Sequence, residues 1–337
     1  MWHYVKLALA VVASSAGVLA LAVYVLLTQD LPPKPELTGR LVSGQLDSGG
    51  RQRTWQAYVP ARRSARTALI VVLHGSMGSP ATARIDDFGY DFDRIADREG
   101  AIVLYPQGFE GHWNNVARIG PYSAKAQQVD DVGFLHALVD HVASEYGADR
   151  TAVLVTGVSN GGAMVTRLAL QSPSFARAYA VVSENLPTAA NRAVIPSGEP
   201  VSILFLNGTD DPIVPWSGGD VSLWPVLASR GDVQSMADTL AYFRNLAGVK
   251  SAPVTQDLPD LDPDDGCTAS RTTWIGPMGH RIVQIAIRGG GHGAPRPAKR
   301  GMRLLGNSNR DIHAAEVIWE FFVSTSQTGA ARAVTAN

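Results

Sequence analysis

The chain has 337 residues, 45% of them hydrophobic and 18% charged, with a formal net charge of -1. That is too apolar for a disordered chain and has no dense basic block, so nucleic acid is excluded as an expected partner. The one cysteine, Cys267, rules out an intrachain disulfide and any CxxC metal or redox motif, and reads as an inert small residue near a turn.

The first element is an uncharged run of 21 residues, Leu7 to Leu27, with Lys6 before it and Asp30 after it. About 20 apolar residues cross a bilayer as a helix. Lys6 and the amino terminus favour an N-inside orientation with the rest of the chain exported. The run reads as an uncleaved anchor. A signal peptide cut near Ala20–Ala22 is the alternative, disfavoured because apolar residues continue past that point. "LPPKPEL", Leu31 to Leu37, then reads as a stiff extended spacer. The organisation expected is an anchor or signal over 1–28, a linker over 29–45, a catalytic domain over 46–327 and a C-terminal tail over 328–337.

"RTWQAYVP" (Arg53–Pro60) reads as an antiparallel strand leading in. Four short β-branched runs follow at Ala68–Leu73, Ala101–Tyr105, Thr151–Val155 and Val201–Leu206. Apolar on both faces, they have the pattern of central strands in a parallel sheet covered on both sides. Helical patterns lie between them. Asp131 to Tyr146 carries Phe134, Leu135, Leu138 and Val142 on one face, with Asp130 as N-cap and Asp131 charging the first turn. Asn160 to Gln171 stops before Ser172-Pro173. Val233 to Leu246 and Asn309 to Ser324 are further helices, and Arg271–Ile275 with Arg281–Ile287 reads as a late hairpin. Strand-helix alternation of this kind predicts one three-layer α/β domain. "DLPDLDPDDG" (Asp257–Gly266) reads as a surface loop whose acids are solvated, so no metal site is expected.

Gly157, Ser159 and Gly161 form a G-x-S-x-G that follows a strand and opens a helix. This is the context of a nucleophile elbow, a tight turn that lifts a serine hydroxyl above the sheet. Glycines are needed on either side because side chains there would clash with the backbone. The helix N-terminus behind the serine, beginning at Asn160, offers free N–H groups to a developing oxyanion.

A serine needs a base, and in this arrangement the chain order is Ser, then Asp or Glu, then His. His280, His292 and His313 follow a plausible acid. His313 falls within the last helix and His280 in a hairpin turn. His292, in the glycine-rich "RGGGHGAP" just past a strand, can reach the sheet's C-terminal edge. The acid should follow the preceding strand, where "VSILFLNGTDDPIVP" supplies Asp210 and Asp211; spacing does not choose between them. The loop "VVLHGSMGSP" supplies a second oxyanion donor, the backbone N–H of Ser76, while His74 holds the loop by hydrogen bonds. Trp113, Asn114 and Trp216 are candidates to line the cleft.

The stretches "LHGSMGS", "YPQG" with "WNN", "DDVGFLHALVD", "GVSNGGAM", "NGTDDPIVPW", "GGGHGAP" and "NSNRDIHAAEVIWEFF" run in order from Leu73 to Phe322. Their combination resembles the polyhydroxybutyrate depolymerase-like esterases, which are similar to feruloyl and acetylxylan esterases. The resemblance implies an α/β-hydrolase fold, carboxylic ester hydrolysis, and no metal or cofactor. It carries the nucleophile onto Ser159, the base onto His292 and the acid onto Asp211, directly before Pro212. Two stretches depart from the pattern. The loop reads "HGSMGS" where further glycines are usual. His292 is followed by Gly293, Ala294 and Pro295 where the family often has an aromatic residue and a proline, which removes a stacking surface. The reading is a serine esterase acting on a small or oligomeric ester, membrane-anchored or secreted. An acyltransferase with the same three residues and a non-catalytic envelope binding module are the competing readings.

Overall fold

The computed structural model describes Leu21, Tyr24–Leu26, and residues 28–222, 228–297 and 301–334, with side chains in the last helix described to Thr325. Most of Leu7–Leu27 therefore lies outside the described residues. Among the described residues no helix is long and apolar enough to cross a membrane.

A ten-stranded sheet organises the chain. Its strands are β1 (Arg40–Ser48), β2 (Arg51–Val59), β3 (Leu69–Leu73), β4 (Ile102–Pro106), β5 (Val153–Val158), β6 (Ala178–Val182) and β7 (Ile203–Gly208). After two two-residue strands that pair apart from it, β8 (Gly219–Asp220) and β9 (Asp232–Val233), the sheet is completed by β10 (Val254–Asp257), β11 (Thr268–Ile275) and β12 (Arg281–Arg288). The spatial order is β1-β2-β4-β3-β5-β6-β7-β12-β11-β10. From β4 through β12 every neighbouring pair is parallel, and antiparallel strands close both edges.

Each central strand is buried on both faces, and alternate residues feed two separate cores. Leu69, Val71 and Leu73 join one, Ile70 and Val72 the other. The first is covered by α2 (Asp131–Tyr146), α3 (Asn160–Gln171) and α4 (Met236–Leu246), through residues such as Phe134, Leu168 and Phe243. The second is covered by α1 (Asp91–Glu99) and α5 (Ala314–Val334), through Phe92, Ile95, Ile318 and Phe321. Double-sided burial is why these strands read as unbroken apolar runs.

Several expected boundaries move. β1 begins at Arg40, so the segment read as linker up to residue 45 already belongs to the sheet. Its alternating exposed and half-buried residues gave no apolar run to notice. The last helix starts at Ala314 and passes through the expected tail boundary to Val334. His313 therefore sits just before it, with Nδ1 3.1 Å from Asp91 Oδ2. The helix expected from Val233 begins at Met236, where the Ser235 hydroxyl accepts from the Asp238 N–H. β6 and α1 were not anticipated.

Asp130 caps α2 as expected, its carboxylate accepting from the Gly133 N–H at 2.9 Å. Asp131 lies in the first turn as expected and has a further role. It is buried against Arg53 of β2, 2.5 Å from the guanidinium, and accepts from the Asn114 N–H at 2.7 Å. Burial raises its carboxyl above the usual range, and Arg53 opposes that rise. The pair ties the entry strand to the helix that covers the sheet.

Candidate functional site

Ser159 sits between β5 and α3 with φ 56° and ψ -119°, a left-handed conformation on a residue with a side chain. Such backbone costs of order 1–3 kcal/mol and persists only where surrounding structure imposes it. Here the surroundings are unusually close. A Cβ on Gly157 would lie 2.6 Å from the carbonyl carbon of Gly161, and one on Gly161 would lie 2.3 Å from the Leu73 oxygen. Both glycines of the motif are thus required by backbone approach, between strand and helix in one case and between helix and β3 in the other. The Ser159 N–H donates to Val182 O at 2.9 Å, which fixes the turn to the end of β6.

The loop after β3 lies against the same turn. A Cβ on Gly75 would touch Val158 O at 3.4 Å and the Ser159 Cβ at 3.8 Å. Ser76 follows, its hydroxyl 3.3 Å from that of Tyr122. His74 is fully buried and holds the loop: its Nε2 accepts from the Gly108 N–H at 2.9 Å, and its Nδ1 lies 2.8 Å from Gly75 O. Burial pulls the imidazole down to about 4, so it is neutral at ordinary pH.

On the other side, His292 follows β12 in a glycine-rich loop pressed between two backbones. A Cβ on Gly208 would lie 2.1 Å from Gly290 O, and one on Gly291 would lie 2.0 Å from Leu305 O. The His292 N–H donates to Leu305 O at 2.7 Å. Its Nδ1 is 2.7 Å from Asp211 Oδ2, and both side chains are nearly inaccessible. Asp211 Oδ1 accepts from the N–H groups of Ile213 and Val214 at 2.8 and 2.9 Å, so the carboxylate is oriented at both oxygens. Asp210 instead accepts from the Thr209 hydroxyl at 2.7 Å and is exposed. Of the two candidates the spacing left open, Asp211 is the one against the imidazole.

The next residue, Gly293, donates to the Ser183 hydroxyl at 2.9 Å. Ser183 follows Val182, the residue that accepts from Ser159, so the serine turn and the histidine loop flank one strand end. His280 lies in the β11–β12 turn, at the opposite end of β12 from His292, and His313 pairs with Asp91.

The aromatic cleft candidates are placed differently from the expectation. Trp113 is fully buried, its indole N–H donating to His74 O at 2.9 Å and its backbone N–H to Asn160 Oδ1 at 2.7 Å. It supports the loop from beneath rather than lining a cleft. The Asn114 side chain donates to Val129 O at 3.0 Å and packs at the start of α2. Trp216 is half-buried against the first core, and its carbonyl accepts from the Met236 N–H.

Beside Ser159 the lining is polar and was not anticipated. A small cavity of about 30 Å³ is bounded by Ser159, Asn160, Tyr122, Glu184, Asn191 and Arg230, with apolar residues between them. Glu184, two residues past β6, is buried, and this pushes its carboxyl up to about 8, with Asp211 adding to the rise. The Asn185 N–H, at 3.2 Å, and Arg230 oppose it. The signal available in sequence was positional: chemistry in parallel α/β sheets gathers just past the strands' carboxyl ends. A second cavity, of about 140 Å³, lies behind the His292 loop and does not include Ser159. Among the described residues no cluster of His, Cys, Asp and Glu is arranged to hold a metal.

The parallel sheet, its antiparallel second strand and the strand-serine-helix turn define an α/β-hydrolase fold. An acetyl xylan esterase from Aspergillus awamori has the same fold, with a TM-score of 0.54 at 19% identity over 84% of this chain and 99% of that one. By sequence the chain is 28% identical over 289 residues to a protein named as an inferred esterase, NocK, from Nocardia uniformis subsp. tsuyamanensis, covering 81% of this chain and 80% of that protein. It is 25% identical over 224 residues to feruloyl esterase C of Emericella nidulans, 66% of this chain and 65% of that protein. A poly(3-hydroxybutyrate) depolymerase of Ralstonia pickettii is 28% identical over 151 residues, 43% of this chain but 31% of the depolymerase. No family model matches the sequence. The chain is thus similar to the esterases that its motifs resemble.

Neutral burial of His74 has a measurable consequence. The folded state takes up its proton near pH 4 and the unfolded chain near 6.5, so the unfolded state binds more protons in between. Stability should fall as pH drops through that window, by about 3 kcal/mol from this group. Urea unfolding at pH 7 and pH 4.5 of the parent and of His74→Gln checks it. The variant should lose less stability on acidification, and equal losses would contradict the assignment.

Proposed function

We propose that the protein is a serine carboxylic ester hydrolase in which Ser159 is the nucleophile, His292 the general base and Asp211 the residue that orients it. What supports this reading is that a strained serine turn, on Val182, and the loop of an imidazole held by a doubly anchored carboxylate, on Ser183, flank the same strand end. Ser159 Oγ attacks the ester carbonyl carbon while His292 Nε2 takes its proton. Asp211, on Nδ1, fixes the tautomer and stabilises the imidazolium. Backbone N–H groups of Asn160 and Ser76 donate to the tetrahedral oxyanion. The imidazolium then protonates the departing alcohol, and water repeats the sequence on the acyl-enzyme. The names of the similar proteins support ester hydrolysis as the reaction.

Export fits the same reading. The apolar run Leu7–Leu27 and Lys6 support a catalytic unit held outside the cytoplasm by an N-terminal anchor. Fractionation of cells making the full chain should leave the esterase in the membrane pellet, open to added protease; soluble protein beginning near Val23 would mean a cleaved signal.

Purified Ser159→Ala should lose ester hydrolysis by several orders of magnitude while unfolding at the same denaturant concentration. Losses in such residues reach roughly a million-fold. Asp211→Asn should be severely impaired and Asp210→Asn should not, since only Asp211 faces His292. An Asp210 variant more damaged than the Asp211 variant would overturn the assignment.

A further inference from the structure

Arg230 enters the cavity beside Ser159 from the segment preceding β9. Its guanidinium carbon stands 5.6 Å from the centroid of the Tyr122 ring. Its Nε is buried and has no hydrogen-bond partner among the described residues. Asn191 takes the backbone of this segment, its amide donating to the carbonyls of Arg230 and Asp232 at 3.1 and 3.2 Å, so the backbone that carries the arginine is held in place. A buried guanidinium N–H left open is costly unless something is meant to accept from it.

The acid nearest at hand does not serve. Glu184 lines the same cavity, but its carboxyl accepts from the Asn185 N–H and makes no ion pair with Arg230. With burial holding its carboxyl near 8, it is uncharged at neutral pH. The other groups facing it are Asp211, which raises it further, and Arg230. Tyr122 is neutral, its hydroxyl pushed up by burial. His112, stacked on Tyr122 with centroids 4.4 Å apart, is held low by burial and by Arg230. Lys125 is not part of the lining, and its ammonium donates to Asn115 Oδ1 at 3.0 Å and to Ala117 O. At neutral pH the charge presented to this cavity is therefore Arg230's.

We infer that the cavity beside Ser159 is a specificity subsite in which Arg230 takes a carboxylate of the substrate, so that the preferred esters are those bearing a free carboxylate close to the scissile bond. The inference rests on Ser159 being the nucleophile. A guanidinium offers paired N–H donors in a fork that matches a carboxylate. The open Nε supplies one of them. Neutral Glu184 can donate its O–H to the same anion, whereas ionised Glu184 repels it and attracts Arg230. The small volume, about 30 Å³, admits a compact polar group and not a large ring. Asp211 remains engaged with His292 and does not compete.

The carboxylate can belong to the acyl part or to the alcohol part of the ester, and two matched pairs of probes separate these. One is 4-nitrophenyl hemisuccinate against 4-nitrophenyl pentanoate. The other is acetoxyacetate against its methyl ester. The full chain should favour the carboxylate member of at least one pair in kcat/KM, by tenfold or more, and the pair identifies the side. Arg230→Gln should collapse that ratio by roughly 10- to 100-fold, the range of one charge-assisted contact, with Arg230→Lys restoring part of it. The ratio should also fall as pH rises through 8, and Glu184→Gln, neutral at every pH, should remove that fall. The Glu184 arm decides the matter if the Arg230 variants do not fold. No carboxylate preference in either pair, or a ratio indifferent to both substitutions, would overturn the inference while leaving ester hydrolysis standing. Silence on all four esters would overturn the esterase reading and this inference with it.

Discussion

The backbone at Ser159 is the constraint on which the rest of the site depends. A serine at φ 56° is held there by two close backbone approaches, strand to helix at Gly157 and helix to β3 at Gly161, with the loop after β3 in van der Waals contact at Gly75. Neither Gly157 nor Gly161 tolerates a side chain without displacement of backbone. The strained turn is thus a product of the packing of β3, β5 and α3, and it persists because two cores on either face of the sheet fix those elements. Its effect is to leave a hydroxyl standing at the carboxyl edge, in front of a helix N-terminus.

The polar groups around this turn divide into those that hold position and those left open. His74 and Trp113 hold the β3 loop from below, and Arg53 with Asp131 tie the entry strand to α2. Asp211 is satisfied at both oxygens, which fixes His292. Such fully paired groups rigidify a site. Glu184 and Arg230 differ. They share one cavity beside the serine without pairing, and burial keeps the carboxyl in its neutral form. Groups of that kind are where a substrate's own polar atoms complete the arrangement.

Much of this was legible in the residues. The four central strands were readable because burial on both faces makes them continuously apolar, and the positions of Ser159 on a strand-to-helix turn and of His292 past a strand end because the motif and the strand ends agree. What escaped has physical causes. β1 pairs only at an edge and alternates in exposure, so no apolar run marks it. β6, Ala178–Val182, is short and built on small residues with a tyrosine whose hydroxyl turns back to Ala176, and it merges with the turn before it. Missing that strand hid Glu184, which stands just past its end. The choice between Asp210 and Asp211 is one of side-chain direction after a turn, which adjacent identical residues do not reveal. Trp113 shows the reverse error: it is a cleft candidate in the sequence, but its indole N–H found a buried carbonyl and the ring went inward.

Ser159 being a reactive hydroxyl, activated by its surroundings, is the claim from which the rest follows. The most direct measurement is the intact mass and peptide map of the purified protein after treatment with a fluorophosphonate. A single phosphonyl adduct on the peptide containing Ser159, forming faster as pH rises through the range where imidazole loses its proton, is the predicted result. No adduct, or an adduct on a serine other than Ser159, would contradict the account.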